Sequence, residues 1–151
     1  MGIVSRSTGA GSGLVSAAVT LSAQAAGLAT GAVIPFDTVV FDPSGYFDSV
    51  NHRFVVPAGQ GGSFLVGLCF IASALGAGAD MAIAQVSNTG PDTNSQAGAP
   101  KRASDSSATP CVTMAIRLSA GNNADAHVFF SGGGTTTVPT NNAMFWLAKL
   151  L

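Results

Sequence analysis

The chain has 151 residues and a mass of 14.9 kDa, a size that fits one domain with a single core. Apolar residues make up 47 % and charged residues 9 %, with a net charge of −1, so the composition excludes global disorder, a basic nucleic-acid footprint and a polybasic membrane-binding segment. The 19 glycines and the lack of glutamate disfavour helices and predict an all-β fold. Because so uncharged a surface is unfavourable for a free monomer, we expect other subunits to cover much of it.

Residues 1–32 differ in composition from the rest of the chain. Of these 32 residues, 22 are Ala, Gly, Ser or Thr and none is aromatic. Such a segment buries too little apolar area to offset an ordering cost of about 1–2 kcal/mol per residue. We therefore predict an extended N-terminal arm over 1–32, ordered on a partner, and one folded domain over 33–151. The side chains able to anchor this arm are Arg6, Leu14, Val15, Val19, Leu21 and Leu28.

Two apolar segments could be mistaken for targeting signals. Residues 14–21 follow Arg6 and precede a small-residue motif, but Ser16 and Thr20 interrupt them, so we expect no signal-peptide cleavage. Residues 54–79 carry no charge, and their strongly apolar part begins at residue 64. That part is shorter than the roughly 20 residues of a spanning helix and contains glycines, so it predicts a buried strand followed by a turn.

From residue 33 onward, short β-branched and aromatic runs alternate with turn signals. The predicted strands, in chain order, are 33–41, 46–48, 52–56, 64–72, 81–86, 111–119, 125–130 and 143–151. Two long segments between them, 87–110 and 131–142, are predicted loops. Many short strands with close turns are typical of a β-sandwich.

Two of these strands are apolar on both faces. In 64–72, Phe64 and Val66 point to one side while Leu65 and Cys69 point to the other, and 143–151 is similar. One face of a sandwich strand packs on the core, and no helix is predicted to cover the other. We therefore expect a second copy of the chain to cover it. Cys69 and Cys111 could form one disulfide, but both lie in apolar strands, and we expect buried, reduced thiols.

Three stretches in a fixed order resemble a known family. The first stretch covers 36–64 and includes Gly45-Tyr46-Phe47-Asp48 and Arg53-Phe54-Val55-Val56-Pro57. The second stretch covers 114–130 and includes Leu118-Ser119-Ala120-Gly121. The third is the C-terminal segment Phe145-Trp146-Leu147-Ala148-Lys149-Leu150-Leu151. The pattern resembles the C1q-like branch of the C1q/tumour necrosis factor superfamily. The resemblance implies a jelly-roll β-sandwich that forms a homotrimer. It places 33–41, 64–72, 125–130 and 143–151 in the trimer-facing sheet and 112–118 in the outer sheet.

The two-faced strands and the resemblance together nominate a trimer interface. The candidate residues are Leu65, Cys69, Ile71, His127, Phe129, Phe145, Trp146 and Leu147. His127 shares a strand face with Phe129, so the resemblance puts it near the trimer axis.

Few residues suggest catalysis or metal binding. His52 and His127 are the only histidines, and no Gly-x-Ser-x-Gly motif frames a serine nucleophile. The segment beginning at Asp42 alternates oxygen-bearing side chains, but an EF-hand would need Gly and an acid where Phe47 and Arg53 stand. We expect surface or interface histidines, ordinary turn chemistry, no enzymatic activity, no cofactor and no metal.

Function is therefore expected to come from assembly. By analogy we expect a bacteriophage capsid decoration (cement) protein, made in the host cytoplasm and bound to the virion surface. The arm would bind the major capsid protein or another virion subunit. One alternative is a receptor-binding tip or a head or tail fibre domain that binds a cell-surface ligand through loops 87–110 and 131–142. The other is a secreted C1q/TNF-like binding module.

Overall fold

The computed structural model describes residues 16–75, 79, 81–90, 95–100 and 106–150. Within these residues the regular secondary structure consists of strands, and no described helix could cross a membrane. The strands are β1 (Ser16–Thr20), β2 (Ala25–Leu28), β3 (Ala32–Val33), β4 (Thr38–Phe41), β5 (Phe47–Asp48), β6 (Arg53–Val55), β7 (Gly62–Phe70), β8 (Met81–Asn88), β9 (Ser95–Pro100), β10 (Cys111–Leu118), β11 (Asn123–Phe130), β12 (Thr136–Val138) and β13 (Ala143–Lys149).

Two antiparallel sheets form the sandwich. Sheet I has the order β10-β7-β13-β1-β4, and sheet II has the order β5-β6-β11-β8-β9, with β3 also paired to β11. A small pair, β12-β2, lies apart from them. No two neighbours in sheet I are consecutive in sequence, because the chain crosses repeatedly between the sheets. This crossing pattern is that of a jelly roll, and the predicted fold class is confirmed.

Aromatic rings fill the space between the sheets. Phe64, Phe70, Phe54 and Phe145 are each no more than 1 % exposed. The ring centroids of Phe54 and Phe145 lie 4.5 Å apart, so strand β6 of sheet II packs directly on strand β13 of sheet I. Alternate residues of β7 and β13 point into this core, which leaves the intervening residues on the outer face of sheet I.

Residues 16–32 belong to the sandwich, which corrects the predicted arm boundary at residue 32. β1 is an interior strand of sheet I, hydrogen-bonded to β13 on one side and β4 on the other. Val19 and Leu21 are buried at 0 % and 2 % exposure, and Leu28 packs against the core. Backbone pairing to two neighbours orders a strand even when its side chains are small. The other predicted anchors, Arg6, Leu14 and Val15, lie outside the described residues.

The partners of two strands also differ from expectation. β10 pairs with β7 in sheet I rather than lying in the other sheet, and β11 lies in sheet II rather than beside β7. The turn at residues 119–122 carries the chain from one sheet to the other. Alternation of apolar residues shows which face of a strand is buried but not which strand lies beside it.

The two predicted loops both contain strands. β9 lies within 87–110 and pairs with β8, while β12 lies within 131–142 and pairs with β2. β9 contains no large apolar side chain, and β12 is only three residues long, so neither carries the extended apolar run from which strands are recognised in sequence.

Candidate functional site

The outer face of sheet I is the candidate site, because it is apolar and, among the described residues, several of its side chains are exposed. Its large exposed apolar side chains come from two strands, β13 and β4. Met144 is 48 % exposed, and Val40 and Phe41 at the sheet edge are 59 % and 49 % exposed. The apolar members of this outer face, in strand order, are Leu65, Cys69, Met144, Trp146, Ala148, Ala18, Val40 and Phe41.

Trp146 occupies the middle of this face. It lies opposite Gly67 in the β13–β7 register, and its indole rests directly on the glycine backbone. A Cβ on Gly67 would lie 2.2 Å from Cε2 of Trp146, so the indole can approach the sheet only because residue 67 lacks a side chain. Trp146 remains half-buried. An aromatic residue held flat on a sheet is a rigid, large apolar contact surface.

The outer face of sheet II has a different character. Asp48, Arg53 and Asp125 lie side by side on β5, β6 and β11, and Arg53 Nε is 3.5 Å from Asp48 Oδ2. Gln85 lies opposite His127 on the neighbouring strand β8. Charged and polar groups of this kind are suited to water. The outer face of sheet II therefore carries charged groups beside apolar side chains such as Met81 and Phe129, whereas the centre of the sheet I face is apolar, as in an interface core.

Asp125 has a carboxyl group on the sheet II face whose pKa is raised. Burial raises its pKa, while His127, Arg53 and a hydrogen bond donated by Asn123 Nδ2 act in the opposite direction. His127 Nδ1 lies 3.1 Å from the Gly31 carbonyl oxygen, so this histidine is engaged with the backbone of its own chain.

The structure divides the eight predicted interface residues into three groups. Leu65, Cys69 and Trp146 lie on the outer face of sheet I, and Ile71 lies half-buried just beyond the end of β7. Phe145 and Leu147 are buried at 0 % exposure in the sandwich core, so they cannot contact another subunit.

His127 and Phe129 lie on the outer face of sheet II, opposite to where the resemblance placed them. This correction follows from the position of β11, which pairs with β8 and β6. Met144, Val40 and Phe41 were not among the predicted interface residues. Met144 has the same strand parity as Trp146, so alternation along 143–151 was a usable signal for it. Val40 and Phe41 gave no such signal, because their exposure comes from the edge position of β4.

The cysteine expectation is wrong. Cys69 and Cys111 lie directly opposite each other in the β7–β10 register and are joined by a disulfide. Cys111 is exposed and Cys69 half-buried, because both point to the outer face of sheet I rather than into the core. The apolar neighbours of each cysteine in the sequence did not indicate that its side chain points outward, because successive strand residues point to opposite faces.

The other residues considered for chemistry have structural contacts. His52 Nδ1 lies 2.7 Å from the Phe36 carbonyl oxygen. The Asp42 carboxylate accepts hydrogen bonds from the backbone N–H groups of Tyr46 and Phe47, at 2.9 Å and 2.8 Å. These are the contacts of a turn. Among the described residues, no group of three or more His, Cys, Asp or Glu side chains is arranged to hold a metal ion.

Comparison with known proteins gives structural matches alone. No family model matches the sequence, and no curated protein matches it. The structure is similar to Eiger TNF from S. frugiperda, with TM-score 0.68, 14 % identity and coverage of 91 % of this chain and 93 % of that one. It is similar to the globular domain of zebrafish complement 1qA protein, with TM-score 0.68, 12 % identity and coverage of 90 % and 97 %. Murine APRIL at pH 5.0 matches with TM-score 0.69, 8 % identity and coverage of 91 % and 100 %. The chain therefore has the jelly-roll fold of the C1q/tumour necrosis factor superfamily, as its sequence motifs indicated.

Proposed function

We propose that the protein is a non-enzymatic homotrimeric module that assembles through the outer face of sheet I. The observation that carries this proposal is the chemical contrast between the two outer faces. Met144, Trp146 and Phe41 expose apolar surface on sheet I, whereas the charged side chains of Asp48, Arg53 and Asp125 lie on sheet II. A large exposed apolar patch on one side of a soluble domain marks an interaction surface.

A trimer explains the low charge of the chain as well. Obligate interfaces bury more than about 2,000 Å² and are more apolar than other surfaces. A three-fold assembly that buries sheet I would leave the charged face of sheet II in contact with water. Trp146 would then be an anchor residue, because tryptophans in the centre of an interface contribute strongly to binding energy.

Light scattering on the full-length protein tests this proposal. We expect a mass of three times 14.9 kDa at micromolar concentration. Trp146→Ala removes the central indole, and we expect it to shift the protein towards monomer. His127→Ala on sheet II is the matched control and should leave the mass unchanged. A stable wild-type monomer would refute the proposal.

For the biological setting, we propose that the trimer is a virion structural protein that decorates a bacteriophage capsid. A compact trimer fits a local three-fold position on an icosahedral shell, and this step rests on analogy. The anchoring role passes to residues 1–15, because Val19 and Leu21 are used in the core of their own subunit. Removing residues 1–15 should leave a trimer that no longer co-sediments with the particle.

The second candidate function is a receptor-binding tip on a phage fibre. The observation that favours it is the burial of Val19 and Leu21, because buried side chains cannot attach the chain to a shell. The exposed segment 131–135 would then contribute to ligand contact. Cryo-EM of a purified particle distinguishes the two candidates: density at local three-fold positions supports decoration, and density at the end of a fibre supports the tip.

A further inference from the structure

Three sulfur-bearing side chains form a row across the outer face of sheet I. Cys111 on β10 lies opposite Cys69 on β7, and Cys69 lies opposite Met144 on β13. Residues directly opposite on one face of an antiparallel pair have Cβ atoms about 4.5–5.5 Å apart. The disulfide brings the two cysteine sulfurs together, and Met144 lines the same surface depression as Cys69. The three side chains therefore lie next to one another on one face of the sheet.

The depression beside this row has a volume of about 360 Å³ and no charged lining. Besides Cys69 and Met144, its walls are formed by Thr20, Val40, Asn141, Asn142 and Ala143. The Thr20 hydroxyl already donates to the Ala143 carbonyl at 2.9 Å. No carboxylate or imidazole is among the lining residues, so the depression offers hard divalent cations no charged oxygen ligand. Its sulfur atoms are the ligands that soft cations prefer.

We propose that Cys69, Cys111 and Met144 bind one Cu(I) ion when the cysteines are reduced. Two thiolates and one thioether form a soft ligand set of the kind that binds Cu(I). Adjacent strands hold all three ligands, so little of the chain needs to be ordered when the metal binds. All three belong to one chain, and the inference does not depend on the proposed trimer.

Binding requires a low-molecular-weight thiol as reductant. Two thiol molecules supply two electrons and two protons to the Cys69–Cys111 disulfide, which becomes two cysteine thiols while the reductant becomes its own disulfide. Cu(I) then displaces the two thiol protons. Cys111 and Met144 are exposed in the single chain, so the reductant and the ion reach the row before assembly covers the outer face of sheet I. The disulfide and metal-bound forms exclude each other, and metal occupancy follows the redox state.

Anaerobic titration of the full-length protein with Cu(I), in competition with the chromogenic chelator bicinchoninate, tests the proposal. The reduced protein should remove one Cu(I) per chain from the chelator, and the oxidised protein none. Light scattering on each sample records the oligomeric state, so a failure of metal binding is distinguished from a failure of assembly.

Two variants separate this three-sulfur site from an unspecific thiol effect. Met144→Leu keeps the apolar volume but removes the thioether sulfur. Because loss of a residue that only supports a metal ligand already lowers metal affinity by about 10–100-fold, we expect this variant to bind Cu(I) about tenfold more weakly or worse. Met81→Leu is the matched control, because Met81 is 40 % exposed but lies on sheet II. Cys69→Ser should abolish binding. The proposal is overturned if the reduced wild type leaves Cu(I) on the chelator, or if Met144→Leu binds as tightly as the wild type.

Discussion

Replacing Gly67 by alanine would place a methyl group where the indole of Trp146 lies. The new Cβ would be 2.2 Å from Cε2, 2.3 Å from Cζ2 and 2.4 Å from Nε1 of Trp146. Each distance is more than about 1 Å shorter than the optimal separation of non-bonded carbon atoms. The backbone of β7 cannot retreat, because β10 and β13 hold it on both sides. The indole must therefore move away from the sheet.

The size of the effect follows from this overlap. An extra methyl forced into a close-packed contact costs about 1–3 kcal/mol. Since 1 kcal/mol corresponds to about 2–4 °C for a domain of 150 residues or more, Gly67→Ala should lower Tm by about 2–12 °C. Trp146 is the only tryptophan in the chain, so its fluorescence reports the movement directly. We expect its emission to shift to the red as the ring becomes exposed to water.

A second background provides the control. In Trp146→Ala the added methyl meets no ring, and a strand alanine is more stable than a strand glycine by about 0.5–1 kcal/mol. Gly67→Ala should therefore be destabilising in the parent protein and neutral or stabilising in Trp146→Ala. Melting curves of all four proteins are compared at one protein concentration, because assembly makes Tm depend on concentration. Equal destabilisation in both backgrounds would refute the packing argument.

Three further predictions test other parts of the molecule. Leu65→Asp introduces a charge on the outer face of sheet I and should abolish the trimer in light scattering, whereas Gln85→Lys, on the outer face of sheet II, should not; a trimer in both variants would contradict the proposed face. Burial raises the pKa of Asp125 in the folded chain above its ordinary value of 3.8, so the folded chain binds the carboxyl proton more tightly than the unfolded chain does. The contribution of Asp125 to stability therefore falls as the pH rises from 3.8 through the pKa of the folded chain. Asp125→Asn should therefore gain in Tm relative to the parent as pH rises, and a pH-independent difference would count against this reasoning. Mass spectrometry without reductant should give a mass two hydrogens below that of the dithiol, since Cys69 and Cys111 are joined; the dithiol mass would contradict the disulfide.

The sequence alone was sufficient for the fold class and for part of the candidate site. A glycine-rich chain without glutamate disfavours helices, and closely spaced turn signals limit strand length. These are local properties, which neighbouring residues express without tertiary contacts. The apolar second faces of 64–72 and 143–151 also placed Leu65 and Trp146 on an outer face, because side-chain direction alternates strictly along a strand.

Strand pairing was decided by the tertiary structure. Alternation identifies the buried face of a strand but carries no information about its neighbour, so β11 and β10 were assigned to the wrong sheets. For the same reason the disulfide was missed, since Cys69 and Cys111 become neighbours only in the β7–β10 register. β1 shows the limit most clearly. Its small side chains predicted part of an extended arm that does not belong to the folded domain. In the structure, hydrogen bonds to β13 and β4 order β1, and its Val19 is fully buried. Burial of a strand depends on the strands that pair with it, and those contacts exist only in the folded chain.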